Sequence, residues 1–370
     1  MEGQLTRSPK EARLVKALVL AGGTGTRLRP FTHSTPKQLI PIANKPVLEY
    51  VIEDIRRLDV TDVCVVVGDR AEAIEEALGD GSRFGVRLTY QHQARPLGLA
   101  DAVRVARPVL GDDDFLMYLG DIMLLDGAAD IGAEFARHRP AAGVVVQKVA
   151  DPRAYGVVEL DADGAVCRLV EKPAEPRSNL AAVGVYFFTA AIHQAIASIV
   201  PSARGELEIS DAIQWLITRG DEVQAREYHG VWHDVGRVAD LLTCNRRVLA
   251  DLEPSIGGTV DSATEVSGIV VVAPGARVTR STLEGPIIVG AGAVIEDSWV
   301  GPATSIGRDC TVRGSTVTNS VVLDGARITD VGGLHGSVVG RCATVEPVAP
   351  HESGCRLHVG DHARIQITAA

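Results

Sequence analysis

The sequence has no cysteine pair with CxxC spacing, no apolar run long enough to cross a membrane and no excess of basic residues. The six cysteines are scattered, which argues against a zinc site or disulfide framework and indicates reduced thiols in a cytoplasmic protein. No apolar run approaches the roughly 18 residues of a membrane span. Lys and Arg number 37 against 47 for Asp and Glu, and this net charge of -10 argues against nucleic acid or anionic membranes as partners.

The first two thirds of the chain alternate short apolar runs with helical patterns. We expect strands at residues 15–20, 63–67, 88–91, 115–119 and 143–146, and helices at 47–58 and 71–78. Strands that are apolar throughout and separated by helices predict an α/β domain with a Rossmann-like, mostly parallel sheet, which binds ligands beyond the carboxyl ends of its strands. We place this domain at residues 14–250, after a loose polar tail at 1–13.

From residue 251 to 370 the helical patterns stop, and small and β-branched residues dominate. Apolar residues recur every six positions, at Ile288, Val294, Val300, Ile306 and Val312. This spacing predicts a parallel β-helix of hexapeptide-repeat type, with one inward aliphatic residue on each side of a triangular coil and slips near residues 285 and 320. A β-sandwich with chance spacing is the alternative. We expect the coil to serve in homo-oligomerisation.

A glycine-rich turn follows the first apolar run. Gly22, Gly23, Gly25 and Thr26 can turn the backbone tightly and aim several N–H groups at one anion, and Arg27 adds a guanidinium. The spacing matches neither a P-loop nor a dinucleotide fingerprint. The turn alone is equally compatible with a purely structural role. Lys37, ten residues on, supplies the second cation that a polyphosphate site needs.

The motifs GGTGTRLRP (22–30) and PKQLIP (36–41) resemble those of the sugar-phosphate nucleotidyltransferases, and within them the long-form glucose-1-phosphate thymidylyltransferases. Further motifs follow in that family's order: GDGSRFG (79–85), PLGLA (96–100), LGD (119–121), YGV (155–157), EKP (171–173), RGELEISD (204–211) and WHDVG (232–236). The resemblance covers about residues 15–240 and implies that the C-terminal coil is left-handed. It also implies nucleotidyl transfer, with Arg27 and Lys37 as catalytic residues.

The acids and glutamines receive their roles from this resemblance. Asp121 follows an apolar strand at a Gly-Asp turn, and the resemblance pairs it with Asp234 as ligands of Mg²⁺, which prefers carboxylates and phosphate oxygens. Gln38 and Gln93 are implied to contact a pyrimidine base, because an amide both donates and accepts hydrogen bonds. The whole implied nucleotide site comprises Leu20, Gly22, Gly23, Gly25, Thr26, Gln38, Gln93, Gly98 and Asp121.

The later motifs are implied to bind the sugar phosphate. In the resemblance, Lys172 and Arg204 bind its phosphate and Glu171 its hydroxyl groups. Tyr155 and Gly156 permit close approach of the sugar to the backbone, and Val183 with its following glycine forms the opposite wall. Without the resemblance, an ordinary surface ion pair would explain Glu171 and Lys172.

The implied reaction joins dTTP and glucose 1-phosphate into an NDP-sugar and pyrophosphate, for deoxysugar, secondary-metabolite or cell-surface sugar biosynthesis. Ile122 stands where the family usually has Asn, which keeps another NTP or another hexose or cyclitol phosphate open. A non-catalytic sugar-nucleotide sensor is a further alternative, although every expected charged residue is present. Acyl transfer by the coil is another, with His335, His351, His358 or His362 as base.

Overall fold

The computed structural model describes residues 16–347. The predicted tail at 1–13, the end of the coil beyond 347, and His351, His358 and His362 lie outside these residues. The chain forms two compact units. We call Met1–Gly23 with Leu48–Trp232 the sheet unit, and Thr24–Val47 with His233–Ala370 the coil unit. The domain boundary at residue 250 stays a prediction.

The helices are α1 (Val47–Arg57), α2 (Ala71–Leu78), α3 (Leu99–Leu110), α4 (Ala129–His138), α5 (Ala191–Ser198), α6 (Ile209–Arg219) and α7 (Val238–Ala250). The strands up to α7 are β1 (Lys16–Leu20), β2 (Pro41–Ile42), β3 (Lys45–Pro46), β4 (Asp62–Val67), β5 (Arg87–His92), β6 (Phe115–Leu119), β7 (Ile122–Leu124), β8 (Ala142–Lys148), β9 (Gly156–Leu160), β10 (Val166–Glu171), β11 (Leu180–Phe188), β12 (Val223–Glu227) and β13 (Trp232–Asp234). Short 3-10 turns occupy Thr26–Leu28, Phe31–His33, Lys37–Leu39 and Ser82–Phe84.

The sheet unit is built on a nine-stranded mixed sheet with the order β10-β9-β11-β6-β1-β4-β5, in which β8 joins β11 and β12. Strands β6, β1, β4 and β5 run parallel, as predicted. The predicted strand at 143–146 is present as β8, but it pairs antiparallel with β11, so the parallel series ends earlier than expected. Strand β1 is apolar on both faces and buried because helices such as α3 cover the sheet.

The strands after α7 are β14 (Ser255–Ile256), β15 (Thr259–Val260), β16 (Glu265–Ser267), β17 (Val270–Val272), β18 (Arg277–Thr279), β19 (Thr282–Glu284), β20 (Ile287–Val289), β21 (Val294–Glu296), β22 (Trp299–Val300), β23 (Thr304–Ile306), β24 (Thr311–Arg313), β25 (Thr316–Thr318), β26 (Val321–Val322), β27 (Arg327–Thr329), β28 (Leu334–His335), β29 (Val338–Val339) and β30 (Thr344–Val345). They form three parallel sheets of six, six and five strands, which are the three sides of a left-handed parallel β-helix. The predicted fold class is confirmed.

The strict six-residue period is wrong in detail. Val289 and Ile295 are buried in the coil core, whereas the predicted Ile288 and Val294 are only half-buried. Inward residues are spaced by six or five positions, so that one turn advances 17 residues rather than a multiple of six. A shorter turn of 16 residues, from Ser305 to Val321, accounts for the predicted slip near residue 320.

A ladder of serines stabilises one corner of the coil. Ser298 accepts a hydrogen bond from the backbone N–H of Ser315 (3.1 Å) and donates one to the carbonyl of Glu296 (2.7 Å). Ser281 repeats the pattern one turn earlier. Each hydroxyl therefore satisfies two backbone groups that would otherwise be buried without partners. Within residues 16–347, no helix is both long and apolar enough to span a membrane.

Candidate active site

One group of predicted site residues, Leu20, Gly22 and Asp121, lies at the carboxyl end of β1 in the sheet unit. Strand β1 lies between β4 and β6, and the N–H of Gly120 donates to the carbonyl of Leu20 (2.9 Å). The Gly-Asp turn that carries Asp121 therefore lies beside the end of β1. The backbones of Gly22 and Gly68 also approach closely, since a Cβ on Gly68 would lie 3.1 Å from the Gly22 oxygen. This edge is the switch point of the sheet, where ligands bind in open α/β folds.

The cationic half of the glycine motif belongs to the coil unit. Gly25 has a φ of 64°, and a Cβ there would lie 2.8 Å from the Cβ of Lys37 and 2.9 Å from the Cγ2 of Thr32. Thr32 Oγ1 also donates to the carbonyl of Gly25 (2.8 Å). The turn and Lys37 thus pack together only because residue 25 is glycine. Thr26 begins the 3-10 turn that exposes Arg27.

Arg27 contacts one of the predicted metal ligands. Its Nη2 lies 3.7 Å from Asp234 Oδ2, within the coil unit. A Cβ on Gly236 would lie 2.8 Å from Arg27 Nη2 and 3.0 Å from Asp234 Oδ1. Sequence reasoning did not single out Gly236, although it is the last residue of the WHDVG motif. A larger residue at this position would require the Arg27 guanidinium, the flexible end of an exposed side chain, to move.

Gln38 is buried, with 1% of its surface exposed. Neither Oε1 nor Nε2 of its amide has a hydrogen-bond partner among the residues described. Leaving a buried polar group unpaired costs about 1–3 kcal/mol, so such groups require an explanation. A ligand that both donates and accepts hydrogen bonds would satisfy this amide.

A hairpin joins the Lys37 segment to the coil. Ala43 and Asn44 form the turn between β2 and β3 with φ angles of 47° and 63°. The N–H of Ala43 donates to Asn245 Oδ1 on α7 (2.8 Å), and this oxygen also accepts from Ser305 Oγ (2.6 Å). Asn44 Nδ2 donates to the carbonyl of Ile306 (2.7 Å). A left-handed backbone conformation is unfavourable for residues other than glycine, and these contacts stabilise it at Ala43 and Asn44. Sequence reasoning missed Asn245 because it lies about 200 residues away.

The predicted base-binding residues of the sheet unit lie next to each other. Gln93 follows β5, and its Nε2 donates to the carbonyl of Gly98 (3.1 Å). Gly98 has a φ of 104°, and a Cβ there would overlap the backbone of Leu207. Leu207 in turn donates its N–H to Leu97 (2.7 Å) and accepts from Ala100 (3.0 Å). The PLGLA and RGELEISD motifs are therefore joined through their backbones.

The predicted sugar-phosphate residues also meet in the sheet unit. Glu171 pairs with Gly156 across β10 and β9, and the N–H of Lys172 donates to the carbonyl of Tyr155 (2.9 Å). Glu171 Oε1 lies 3.2 Å from Lys172 Nζ and 3.5 Å from Arg204 Nη1. The structure thus brings two cations and one carboxylate together at the end of a β-ribbon.

Further acids surround Arg204. Its guanidinium contacts Glu206 (3.0 Å) and Glu208 (3.7 Å) in addition to Glu171. Burial lowers the pKa of Arg204, but the charges of Glu208, Glu206 and Glu171 outweigh it and raise the pKa above its ordinary value. Burial raises the pKa of Glu208 and of Asp211. The motif RGELEISD already contained these acids, but sequence reasoning used only its arginine.

A bulge in β11 lies where the opposite wall of the sugar-phosphate site is predicted. The register of β11 against β8 shifts between Ala182 and Tyr186, and Gly184 has a φ of 89°. Val183 is buried, so its side chain faces the core rather than a ligand. A Cβ on Gly184 would lie 2.8 Å from Leu119 Cδ1 and 3.0 Å from Ile122 Cγ1. Ile122 is therefore a packing neighbour of this wall.

The remaining predicted features are the two metal ligands and the candidate base of the coil. Among residues 16–347, no group of three or more His, Cys, Asp or Glu side chains converges as a metal cluster. Asp121 is buried at the end of β6, and Asp234 belongs to the coil unit. His335, a candidate base for acyl transfer, is exposed and its Nδ1 forms a hydrogen bond with Thr318 Oγ1 (2.8 Å).

The chain matches known proteins over most of its length. Residues 16–251 match the family model described as nucleotidyl transferase. Glucose-1-phosphate thymidylyltransferases of Streptomyces antibioticus and Streptomyces griseus are 51% and 50% identical; the matches cover 95% and 96% of this chain and 99% and 100% of theirs.

A solved Bacillus anthracis protein, described as a glucose-1-phosphate thymidylyltransferase in complex with a sucrose, shares the sheet fold. Its TM-score is 0.60 at 32% identity, and the match covers 65% of this chain and 98% of that chain. Enzymes of this family generally use a divalent metal ion. The glycine turn, the strand-end acid and the later motifs all lie within the matched residues. The chain therefore belongs to the nucleotidyl transferase family.

Proposed function

We propose that the protein transfers a thymidylyl group from dTTP to glucose 1-phosphate, giving dTDP-glucose and pyrophosphate. The observation that carries this proposal is the near full-length match, at about half identity, to two glucose-1-phosphate thymidylyltransferases. The product is a substrate for dTDP-sugar biosynthesis, and we propose a role in making deoxysugars of secondary metabolites or cell surfaces.

The reaction is an in-line displacement at phosphorus. An oxygen of the sugar phosphate forms a bond to the α-phosphorus, and the bond from that phosphorus to the bridging oxygen of pyrophosphate breaks. The nucleophile is already anionic near neutral pH, so no general base is needed. Catalysis then consists of positioning and charge neutralisation.

We assign the polyphosphate to the segment around Arg27 and Lys37. The N–H groups of the glycine turn and the exposed Arg27 guanidinium bind the departing pyrophosphate, since Arg can donate to two phosphate oxygens at once. Lys37 neutralises charge at the transferring phosphate. The close packing of Gly25 against Lys37 supports this division because it fixes the lysine beside the turn.

We assign the acceptor to the cluster at Glu171. Lys172 and Arg204 bind the phosphate of the sugar phosphate, and Glu171 accepts hydrogen bonds from the sugar hydroxyls. These contacts support this role, because Glu171 Oε1 lies within 3.5 Å of both Lys172 Nζ and Arg204 Nη1. Tyr155, Gly156 and the Val183–Gly184 bulge form the walls.

We assign the base to the two glutamines. The buried and unpaired amide of Gln38 supports a ligand that both donates and accepts. Gln93 and Gly98 belong to the sheet unit, where a Cβ on Gly22 would lie 3.8 Å from Gln93 Oε1. Thymine or uracil offers a matching edge.

We propose Mg²⁺ as the metal, with Asp121 and Asp234 as its protein ligands. Mg²⁺ prefers one or two carboxylates together with phosphate oxygens, and a carboxylate at the end of β6, beside the glycine turn, suits this preference. The ion neutralises phosphate charge when bound. Arg27 Nη2 lies 3.7 Å from Asp234 Oδ2, so the proposed pyrophosphate ligand and this proposed metal ligand are neighbours.

The test measures pyrophosphate release from a panel of NTPs and sugar 1-phosphates with and without Mg²⁺. We expect dTTP with glucose 1-phosphate to give the highest kcat/KM. Arg27→Ala should lower kcat about 10³-fold, because one donor to a developing charge contributes that much in comparable sites. Its affinity for glucose 1-phosphate, measured by calorimetry, should be unchanged.

The matched control is Arg280→Ala, which removes another exposed arginine paired with an aspartate, Asp297, on the coil. It should leave turnover within about twofold of the native value. Full activity of Arg27→Ala would remove Arg27 from the mechanism. Absence of pyrophosphate release with every NTP and sugar phosphate would contradict the proposed function itself.

We also propose that the protein forms a homo-oligomer through the coil. Ile256 and Val266, in the first turn of the coil, are 51% and 45% exposed, and Trp299 is 40% exposed. Exposed aliphatic and aromatic side chains of this size support an apolar surface suited to a second copy of the chain.

A further inference from the structure

The side-chain amide of Gln93 is fixed in one orientation by a buried carboxylate. Its Nε2 lies 2.8 Å from Asp101 Oδ2 and 3.1 Å from the carbonyl oxygen of Gly98. A carboxylate and a carbonyl only accept hydrogen bonds, so both must face the NH2 group of the amide. The two neighbours therefore use both hydrogens of this group and exclude the flipped amide.

Asp101 is itself held firmly. It lies in the first turn of α3 and is 2% exposed. Arg104 donates to its other oxygen, Oδ1, through Nε (3.0 Å) and Nη2. One carboxylate oxygen is thus committed to Arg104 and the other to Gln93. Since Asp101 and Arg104 both belong to α3, this helix carries a preformed clamp for the Gln93 amide.

The only amide atom left for a ligand is an acceptor. Among the hydrogen bonds of residues 16–347, none uses Gln93 Oε1. This oxygen points along the glycine turn, since a Cβ on Gly22 would lie 3.8 Å from it. Sequence reasoning treated the amide as both donor and acceptor, but the geometry leaves it as an acceptor alone.

We propose that Asp101 is a positioning residue that sets base selectivity by presenting Gln93 Oε1 to the nucleotide. An acceptor at this place pairs with the N3–H of thymine or uracil. It repels cytosine, whose N3 is an acceptor and cannot donate. The inference rests on the proposed function, because it takes Gln93 as a contact of the base.

The experiment compares the binding of dTDP and dCDP by calorimetry, which needs no turnover. Native protein should bind dTDP at least tenfold more tightly than dCDP, the effect of a mismatched hydrogen-bond partner. Asp101→Ala frees the amide to rotate and present its NH2 group to cytosine, so the ratio of the two dissociation constants should fall about tenfold. A merely structural role of Asp101 would weaken both ligands equally and leave the ratio unchanged.

Two further variants isolate the Gln93 contact. Asp101→Asn has a single acceptor oxygen, and when this oxygen faces the two Arg104 donors its NH2 group faces Gln93, so the preference for dTDP should fall as in Asp101→Ala. Arg104→Ala is the control: it removes the exposed partner of Asp101 but leaves the bond to Gln93, so it should retain the preference within about threefold. Loss of preference in Arg104→Ala but not in Asp101→Ala would overturn the proposal.

A modified ligand tests the native protein directly, should Asp101→Ala not fold. N3-methylthymidine diphosphate has no N3–H, and it should bind at least tenfold more weakly than dTDP. Equal binding would overturn the proposal. Failure of the proposed function is distinguished by the transfer assay: if native protein makes dTDP-glucose but Asp101→Ala keeps the full preference for dTDP, only this inference fails.

Discussion

The two units bury different kinds of polar side chain. Among the described residues, those of the sheet unit are mainly carboxylic acids: Asp54, Asp101, Asp114, Asp121 and Glu208. Those of the coil unit are hydroxyls and amides without a carboxyl group: Thr32, Thr35, Gln38, Asn245, Ser281, Ser298, Thr304, Ser305, Ser315 and Ser320. A buried charge needs a partner, whereas a hydroxyl is satisfied by the nearest backbone. Asp101, Asp114 and Glu208 of the sheet unit pair with arginines, Asp54 accepts hydrogen bonds from Tyr118 and Ala128, and the coil carries a neutral repeating ladder.

A related contrast applies to the side chains proposed to be functional. In the sheet unit, the end of β10 places the proposed acceptor cluster at Glu171, and the first turn of α3 places the clamp at Asp101. In the coil unit, Arg27 and Lys37 lie on short 3-10 turns, which have little rigidity of their own. Their positions depend on close glycine contacts and on the hairpin that Asn245 holds. We therefore expect distant coil residues to affect the polyphosphate chemistry of Arg27 and Lys37, and residues around the Glu171 cluster to affect the acceptor.

A pair of glycine substitutions gives the largest expected effect and tests this division. Gly25→Ala strains a left-handed residue and displaces Lys37, so kcat should fall about 100-fold, as for a catalytic group misplaced by about 1 Å. The KM for glucose 1-phosphate should stay unchanged. Gly184→Ala, which presses on Leu119 and Ile122, should instead raise that KM about tenfold. Steady-state kinetics with each substrate varied would show the split, and identical changes in both variants would break the comparison.

A substitution far along the chain should have an intermediate effect. Asn245→Ala leaves the buried N–H of Ala43 without its acceptor and releases the hairpin after Gln38. We expect the KM for dTTP to rise about tenfold and the free energy of unfolding to fall by about 1–3 kcal/mol. The KM for glucose 1-phosphate should not change, because its proposed ligands belong to the sheet unit.

The neighbouring residue on α7 supplies the control for Asn245. Arg246 also joins α7 to the coil, through Nη2 and Asn319 Oδ1 (3.0 Å), but it is exposed and does not reach the hairpin. Arg246→Ala should therefore leave both KM values within twofold. If Asn245→Ala lost stability with no change for dTTP, the coil would be a scaffold only.

The smallest effect on turnover is expected from substituting Asp54, a buried acid of the sheet unit. This residue affects the free energy of unfolding rather than catalysis. Burial raises the pKa of Asp54 to about 6, although hydrogen bonds from Tyr118 and Ala128 oppose the rise. The folded state therefore binds a proton more tightly than the unfolded chain. The stabilising contribution is present below about pH 4 and is lost as the pH rises through 6, a change of at most about 3 kcal/mol.

Asp54→Asn removes this dependence. Urea unfolding at pH 4.5 and pH 8 should show the variant gaining stability relative to the native protein at the higher pH, with kcat unchanged. Asp297→Asn alters an exposed carboxylate of the coil unit and serves as control, with no such gain expected. If the difference in unfolding free energy between Asp54→Asn and the native protein did not change with pH, Asp54 would not be the source of the pH dependence of stability.

Local patterns predicted the elements better than their pairing. The apolar runs located β1, β4 and β6, and the helical spacing of residues 47–58 matches α1 at Val47–Arg57. The antiparallel pairing of β8 with β11 could not be predicted from the sequence. A strand that is buried on both faces is equally apolar whether it pairs parallel or antiparallel. The six-residue period failed at Ile288 and Val294, since one corner of each turn is one residue shorter.

The candidate site also combines residues that local motifs identify with residues that only the three-dimensional contacts identify. Residues that the motifs assigned to one site lie beside each other, Gly98 beside Gln93 and both Lys172 and Arg204 beside Glu171, while their binding roles stay predictions. The role of Asp101 needed the direction of two hydrogen bonds, which no spacing reveals. Asn245 needed a contact with Ala43 across most of the chain.

The hairpin held by Asn245 also limits how this protein can be recombined with its relatives. A chimera that exchanges only the C-terminal coil would separate Ala43 from Asn245 and Asn44 from Ile306, unless the donor coil supplies the same acceptors. The exchangeable module is therefore discontinuous: residues 24–47 travel with the coil, although they lie in the first eighth of the sequence. Crossovers placed after Gly23, before Leu48 and after Trp232 keep these contacts intact.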